Sequence, residues 1–351
     1  MGLERLSTQS RVARGFDPSV LVKFDDRTIL DHTYSPERPG IDLDAAYDFV
    51  NSARTGVSDW YRERAGSDLP LGPPPKTELV PELKERLYAQ DGFKRAVDTL
   101  FGGGSYEELK ARGALSKQPW HNEITTGETS YTNSNDRVHV NLSPAHSYEM
   151  HANREGFVVP ARPVSTDGII LTAPDSESDT GYVVLGLRGG GSYVNGIHTV
   201  AAGGLSVSKE LKEGKETIQQ AFERRELVPE LGDRVNNVKS IRAIGRVEDW
   251  LLGMGSCTYV FQVDTGLSGE EITASWVTAK DAKEHSQLIF IKNNPRSIEE
   301  FVADNYKGMV ENRTNRTPEE RVLLHPGALG LALYSGMSSN DLRSLFKEGM
   351  H

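Results

Sequence analysis

The chain has 351 residues, of which 37% are hydrophobic and 26% charged, and its net charge is -10. That length suggests roughly two domains, and the composition is that of an ordinary soluble globular protein. The acidic balance, with no block of Lys and Arg, argues against nucleic acid as a partner, and a single cysteine, Cys257, excludes an intramolecular disulfide or a Cys-rich metal site.

The first sixteen residues are polar and lack the apolar stretch of a signal peptide. No apolar run approaches the length of a membrane span. The expectation is a cytoplasmic protein with no membrane partner. Residues 20–30 read as two short strands around an Asp25-Asp26 turn. Asp42 is placed to cap a helix running from Leu43 towards Arg64, in which Tyr47, Val50, Val57, Trp60 and Tyr61 recur at helical spacing. The prolines in Leu69–Lys76 break the pattern. Helical patterns return over 77–87, 91–101 and 106–112. Residues 137–142 alternate as a half-buried strand does. His139, His146 and His151 lie close in sequence, but their spacing does not put two on one helical face, so they read as scattered structural histidines.

From Phe157 strand-like runs crowd together: 157–160, 168–171, 181–188 and 197–200. A strong helix follows over about 213–228. Further strands are expected at 238–246, 257–263, 271–277 and 288–291. The C-terminal part reads as helical. Ser297 to Glu300 has the capping-box pattern of a helix ending near Gly308, Pro318 opens a second helix, and a third is expected from Asn340 to Lys347.

The helix around Glu223 is the candidate for carrying chemistry. At about 100° per residue, Ile218, Ala221 and Phe222 form one apolar stripe. Glu216, Glu223, Glu226 and Glu230 then share a sector of roughly 80°. Clustered carboxylates repel unless cations intervene, and a hard divalent cation takes oxygen ligands. The same residues taken alone also fit a solvated acidic face compensated by Arg224 and Arg225.

The surroundings of that helix resemble the Nudix box of the Nudix hydrolase superfamily. Ala201-Ala202-Gly203-Gly204 looks like its glycine turn, and residues 225–232 (RELVPELG) look like its closing Arg-Glu-aliphatic-x-Glu-Glu-x-Gly run. The resemblance implies that Arg225 orients carboxylates, that Glu226 and Glu230 hold Mg²⁺ or Mn²⁺, and that Gly204 and Gly232 are the leading and closing glycines. Pro229 stands where the family has the first glutamate of a pair, so one ligand is missing; Glu223, one turn before Glu226, is the candidate replacement. Glu216 is a looser match to the helix-start glutamate. Glu270, Glu271 and Glu284 are downstream candidates for a general base, and Arg188 is a candidate phosphate contact.

The fold expected is α+β. It comprises a Nudix-type α/β/α sandwich with a mixed sheet over 156–296, a mixed, helix-rich N-terminal domain over 1–155, and a C-terminal helical extension over 297–351 packed on the sandwich. The activity the resemblance implies is divalent-metal-dependent pyrophosphate hydrolysis of a nucleoside diphosphate linked to another moiety. The alternative is an inactive module of the same fold that binds a nucleotide or a protein partner. Residues 1–155 are expected either to shape the substrate site or to form a homodimer interface.

Overall fold

The computed structural model describes residues 19–35, 124–134, 136–146, 162–188, 196–206, 208–249, 257–306, 322–337 and 341. The helical patterns expected over 43–112, the strand at 157–160 and the helix opening at Pro318 lie outside them. Of the helix expected over 340–347, only Asp341 is described.

The chain is mixed α/β, and its described strands join one eleven-stranded mixed sheet. Along the main path the order is β1 (Ser19–Lys23), β9 (Ser240–Asp249), β10 (Cys257–Asp264), β5 (Arg162–Leu171), β3 (Ile124–Ser134), β4 (Arg137–His146) and β2 (Ile29–Tyr34). A branch leaves β5 through β6 (Tyr182–Arg188), which also pairs with β7 (Gly196–Thr199) and β11 (His285–Lys292); β8 (Ala201–Gly204) pairs with β5 as well. The β5–β10 and β2–β4 pairs are parallel and the others antiparallel.

β1 and β2 flank the Asp25-Asp26 turn as expected, but they do not pair with each other. β1 joins β9 and β2 joins β4. Strands from before residue 155 and after it thus share hydrogen bonds, since β3 also meets β5 at Gly127↔Pro163 and Glu128↔Arg162.

Successive strand residues point to opposite faces. On β5, β6 and β10 this separates Ile170, Val184, Tyr259, Phe261 and Val263, in one apolar core, from Ile169, Leu171, Val183, Leu185, Leu187 and Val260, in the other. The first core is covered by α1 (Lys209–Lys212) and by a helix of three joined parts: α2 (Ile218–Phe222), a π-helical turn (Glu223–Leu227) and α3 (Val228–Leu231). The second is covered by α5 (Pro295–Asn305) and α6 (His325–Ser335).

Three expectations are corrected. The stretch at 271–277, expected as a strand from its Ile-Thr-Ala-Ser-Trp-Val content, is part of α4 (Gly269–Val277). Ser268 and Glu271 close a reciprocal capping box there, and local capping outweighs the β-branched composition. α5 is capped by the Asn294 side chain, which accepts from Ser297 N–H at 2.9 Å, so it starts at Pro295 and ends at Asn305. α6 has no counterpart among the expected elements. It is apolar nearly all round, and it packs Ala328, Leu329, Leu331 and Leu333 into the second core.

Candidate functional site

The helix over the first core begins later than its acidic pattern suggests. Thr217 is its N-cap, and Thr217 and Gln220 form a capping box. Glu216 therefore precedes the helix. It is held by Arg224 (Nε to Oε1, 2.6 Å; Nη2 to Oε2, 2.9 Å) and by the Ser208 hydroxyl at 2.7 Å. The Arg224 hydrogen bonds keep its carboxyl below the ordinary range. Glu216 is a structural residue in this setting.

Pro229 explains the π turn. It has no N–H to offer the Arg225 carbonyl four residues back, and its ring would crowd that carbonyl. The helix widens instead, and the Val228 N–H reaches the Glu223 carbonyl five residues back. The helix does not end at Pro229: one wide turn accommodates the ring, and α3 continues to Leu231. Gly232, at φ 84°, closes it; a Cβ there would stand 2.5 Å from the Ser275 carbonyl oxygen.

Glu226 and Glu230 face the sheet from either side of this junction. Glu226 lies against Gly203 of β8, where a Cβ would stand 2.3 Å from its Oε2. Glu230 is buried, and its Oε2 meets Nε2 of His285 at 2.9 Å. Burial and the neighbouring Glu230 charge push the Glu226 carboxyl up to about 7. Burial raises Glu230 well above the ordinary range, against the pull of the Arg188 charge. Arg188, at the end of β6, is four-fifths buried. Its Nη2 lies 3.6 Å from Glu284 Oε2, and its Nε is buried without a hydrogen-bond partner. His285 and His198 complete the wall. Burial and the Arg188 charge press them down to about 4 and about 3, so both rings are neutral.

The structure thus brings Glu226, Glu230, Arg188 and Glu284 together. Glu223 is turned to Gln219, whose Nε2 donates to its Oε1 at 2.9 Å. Arg225 is exposed and acts on Glu226 only through its charge. Glu271 is spent on the α4 cap, and Glu270 is exposed in the first turn of that helix. Gly203, not Gly204, makes the close approach, since Gly204 has open space around it. His139 is bound to Asp31 (Nδ1 to Oδ1, 2.5 Å) and to the Thr33 hydroxyl (2.9 Å). Cys257 is buried, as its sequence neighbours suggest.

Two groups lay beyond sequence reasoning. His285 is 55 residues from Glu230 in the chain, and only the register of β11 against β6 brings it there. Asp167 is fully buried on the opposite face of β5, next to Gly330 of α6, and neither of its oxygens makes a hydrogen bond of normal geometry. Burial pushes its carboxyl up to about 7, despite the opposing influence of Thr199, Gly168 and Arg188.

Among the described residues, no group of three or more His, Cys, Asp or Glu side chains is arranged to hold a metal ion. The site offers two adjacent carboxyls and no soft ligand. One or two carboxylates are the usual protein share of a Mg²⁺ shell, with water, and substrate phosphate when it is bound, completing it; the set does not fit a cage made by protein alone. No helix among the described residues is long and apolar enough to cross a membrane. A scan against protein-family models finds no match to this chain, and a search of curated proteins finds no relative.

Proposed function

We propose that the sheet and its Glu-rich helix form a Nudix-type domain, and that it hydrolyses a nucleoside diphosphate linked to another moiety with the help of Mg²⁺ or Mn²⁺. The observation that carries this reading is the pairing of the half-buried Glu226 with the buried Glu230, set between the Gly203 approach and the Arg188 guanidinium. Two neighbouring carboxyls, one buried and one half-buried, resist ionisation, and a divalent cation beside them would relieve that cost. Glu226 and Glu230 would hold the ion, which supplies charge neutralisation at phosphorus and an acidified water. Arg188, with its unpaired Nε, is placed to receive a phosphate oxygen. Hydrolysis joins the water oxygen to one phosphorus and breaks the anhydride bridge; the other phosphate departs with the bridging oxygen, and a proton is released.

A second reading, a catalytically inactive module that binds a nucleotide, is favoured by Pro229 in place of an acid and by the pairing of Glu230 with His285. Both readings are tested by phosphate and nucleotide release from nucleoside diphosphate sugars, dinucleotides and nucleoside triphosphates, and by calorimetric binding of the same nucleotides. The assay is run with Mg²⁺ or Mn²⁺ and with chelator, on the wild type and Glu226→Gln. The hydrolase predicts chelator-sensitive turnover that the variant loses. Cation-dependent nucleotide binding with no turnover would establish the binding module, and neither turnover nor binding would remove both.

A further inference from the structure

We infer that His285 is a positioning residue for the cation site, clamping Glu230 so that one of its oxygens has a fixed setting; this rests on the functional reading above. The side chain of His285 is fully buried, and that of Glu230 nearly so. The ring lies over the backbone of β6 at Gly186, where a Cβ would stand 2.2 Å from Nδ1, so only glycine leaves it room. Its Nε2 is 3.2 Å from the Val200 carbonyl oxygen and 2.9 Å from Glu230 Oε2. A carbonyl oxygen can only accept, so Nε2 carries the proton and donates to both oxygens. Nδ1 is then a buried acceptor with no hydrogen-bond partner.

Three elements converge on this ring. β11 supplies it, β6 gives it a flat seat, and the residue between β7 and β8 fixes its donor direction through the Val200 carbonyl. The carboxyl of Glu230, one short helix away on α3, takes its orientation from that donor. The Ala202 backbone N–H also donates to this carboxyl, so Glu230 is oriented from two sides; Oε1 is the oxygen His285 does not engage and the one it leaves towards a cation. Partners of this kind set the affinity of the ligand they hold, with losses of about 10- to 100-fold on removal.

The test is Mn²⁺ titration of the full chain, followed by electron paramagnetic resonance, for the wild type, Glu226→Gln, His285→Leu and His285→Gln, with melting curves alongside. Glutamine offers an amide donor near the position of Nε2. His285→Leu should weaken Mn²⁺ binding by about tenfold or more, and His285→Gln by no more than about threefold. If both variants bind as the wild type does, the positioning role is overturned while the cation site stands. If the wild type does not bind Mn²⁺, or Glu226→Gln binds it equally well, the functional reading itself fails. Should His285→Leu not fold, ¹⁵N-histidine spectra of the wild type decide. A protonated Nε2 whose resonance moves on adding Mg²⁺ supports the clamp. A proton on Nδ1, or a signal unmoved by saturating Mg²⁺ in a protein that binds it, overturns the clamp.

Discussion

At Gly203 the backbone of β8 comes so close to Glu226 that a single added carbon would displace the carboxylate. Gly203→Ala should therefore weaken Mn²⁺ binding by about tenfold, a loss of the size seen when a ligand's support is moved. Calorimetric titration checks this, and an unchanged affinity would remove Glu226 from the cation site. Asp167 gives a prediction of a different kind. Its folded pKa of about 7 lies above the ordinary 3.8, so between those values the unfolded chain sheds a proton that the folded chain keeps. Stability is thus lost as pH rises from about 4 to about 7, and the loss is complete above that. The buried His198 and His285 act in the opposite sense, because the unfolded chain gains their protons as pH falls through 6.5. Comparison with Asp167→Asn isolates the carboxyl. The variant should gain about 1–3 kcal/mol on the wild type between pH 5 and pH 8 in urea titrations, from about 1.4 kcal/mol per pKa unit. A difference independent of pH would show that Asp167 is ionised throughout.

Among the elements, β5 and the helix above it are closely packed at Gly168. A Cβ on Gly168 would stand 2.7 Å from Cζ of Phe222, whose ring stacks on Phe261 at 4.8 Å between centroids. Gly168→Ala should cost about 1–3 kcal/mol by overpacking, read from denaturant midpoints; a neutral result would mean that the helix can lift off the sheet at no cost. The helix itself was legible in the sequence because apolar residues at helical spacing and a run of glutamates announce it. The partition of those glutamates was not legible. Glu216 goes to Arg224 and Glu223 to Gln219, while Glu226 and Glu230 stay with the sheet; that sorting depends on where Thr217 caps the helix and on the wide turn before Pro229. The strands at β6 and β10 were legible from their apolar runs. α4 was misread because β-branched residues lie behind a strong cap, and α6 was missed because an apolar segment with glycines lacks the amphipathic rhythm that marks a surface helix.

For the whole molecule, the decisive contacts tie β3 to the rest of the sheet. Arg246 of β9 donates to both oxygens of Glu128 (Nε at 3.0 Å, Nη2 at 2.5 Å), the Tyr259 hydroxyl donates to the same carboxylate at 2.6 Å, and Tyr131 stacks its ring on the guanidinium at 4.2 Å. Both charged side chains are fully buried. Removing one partner, as in Glu128→Leu, should cost about 3–5 kcal/mol, and replacing both with apolar residues should cost much less. Urea denaturation of both single variants and the double variant checks this, and a double loss equal to the sum of the two single losses would show that the pair is not coupled. A chain cut to begin at residue 156 loses β1 to β4 and leaves Arg246 buried without Glu128. It should fail to give a cooperative melting transition; a sharp transition near that of the full chain would make residues 156–351 an independent unit. Sequence reading placed a boundary at 155 because the texture of the chain changes there, but hydrogen bonds between distant strands leave no mark on local composition.

Cys257 sits inside that sealed network, its thiol donating to Glu128 Oε2 at 3.0 Å, and burial holds it far above the usual thiol range. Because it is the only sulfhydryl in the chain, the rate at which an aromatic disulfide reagent colours the solution, once it no longer rises with reagent concentration, measures how often the network around β3, β9 and β10 opens. The chain carries its own clock for opening, with no label added and no other thiol to confuse the reading.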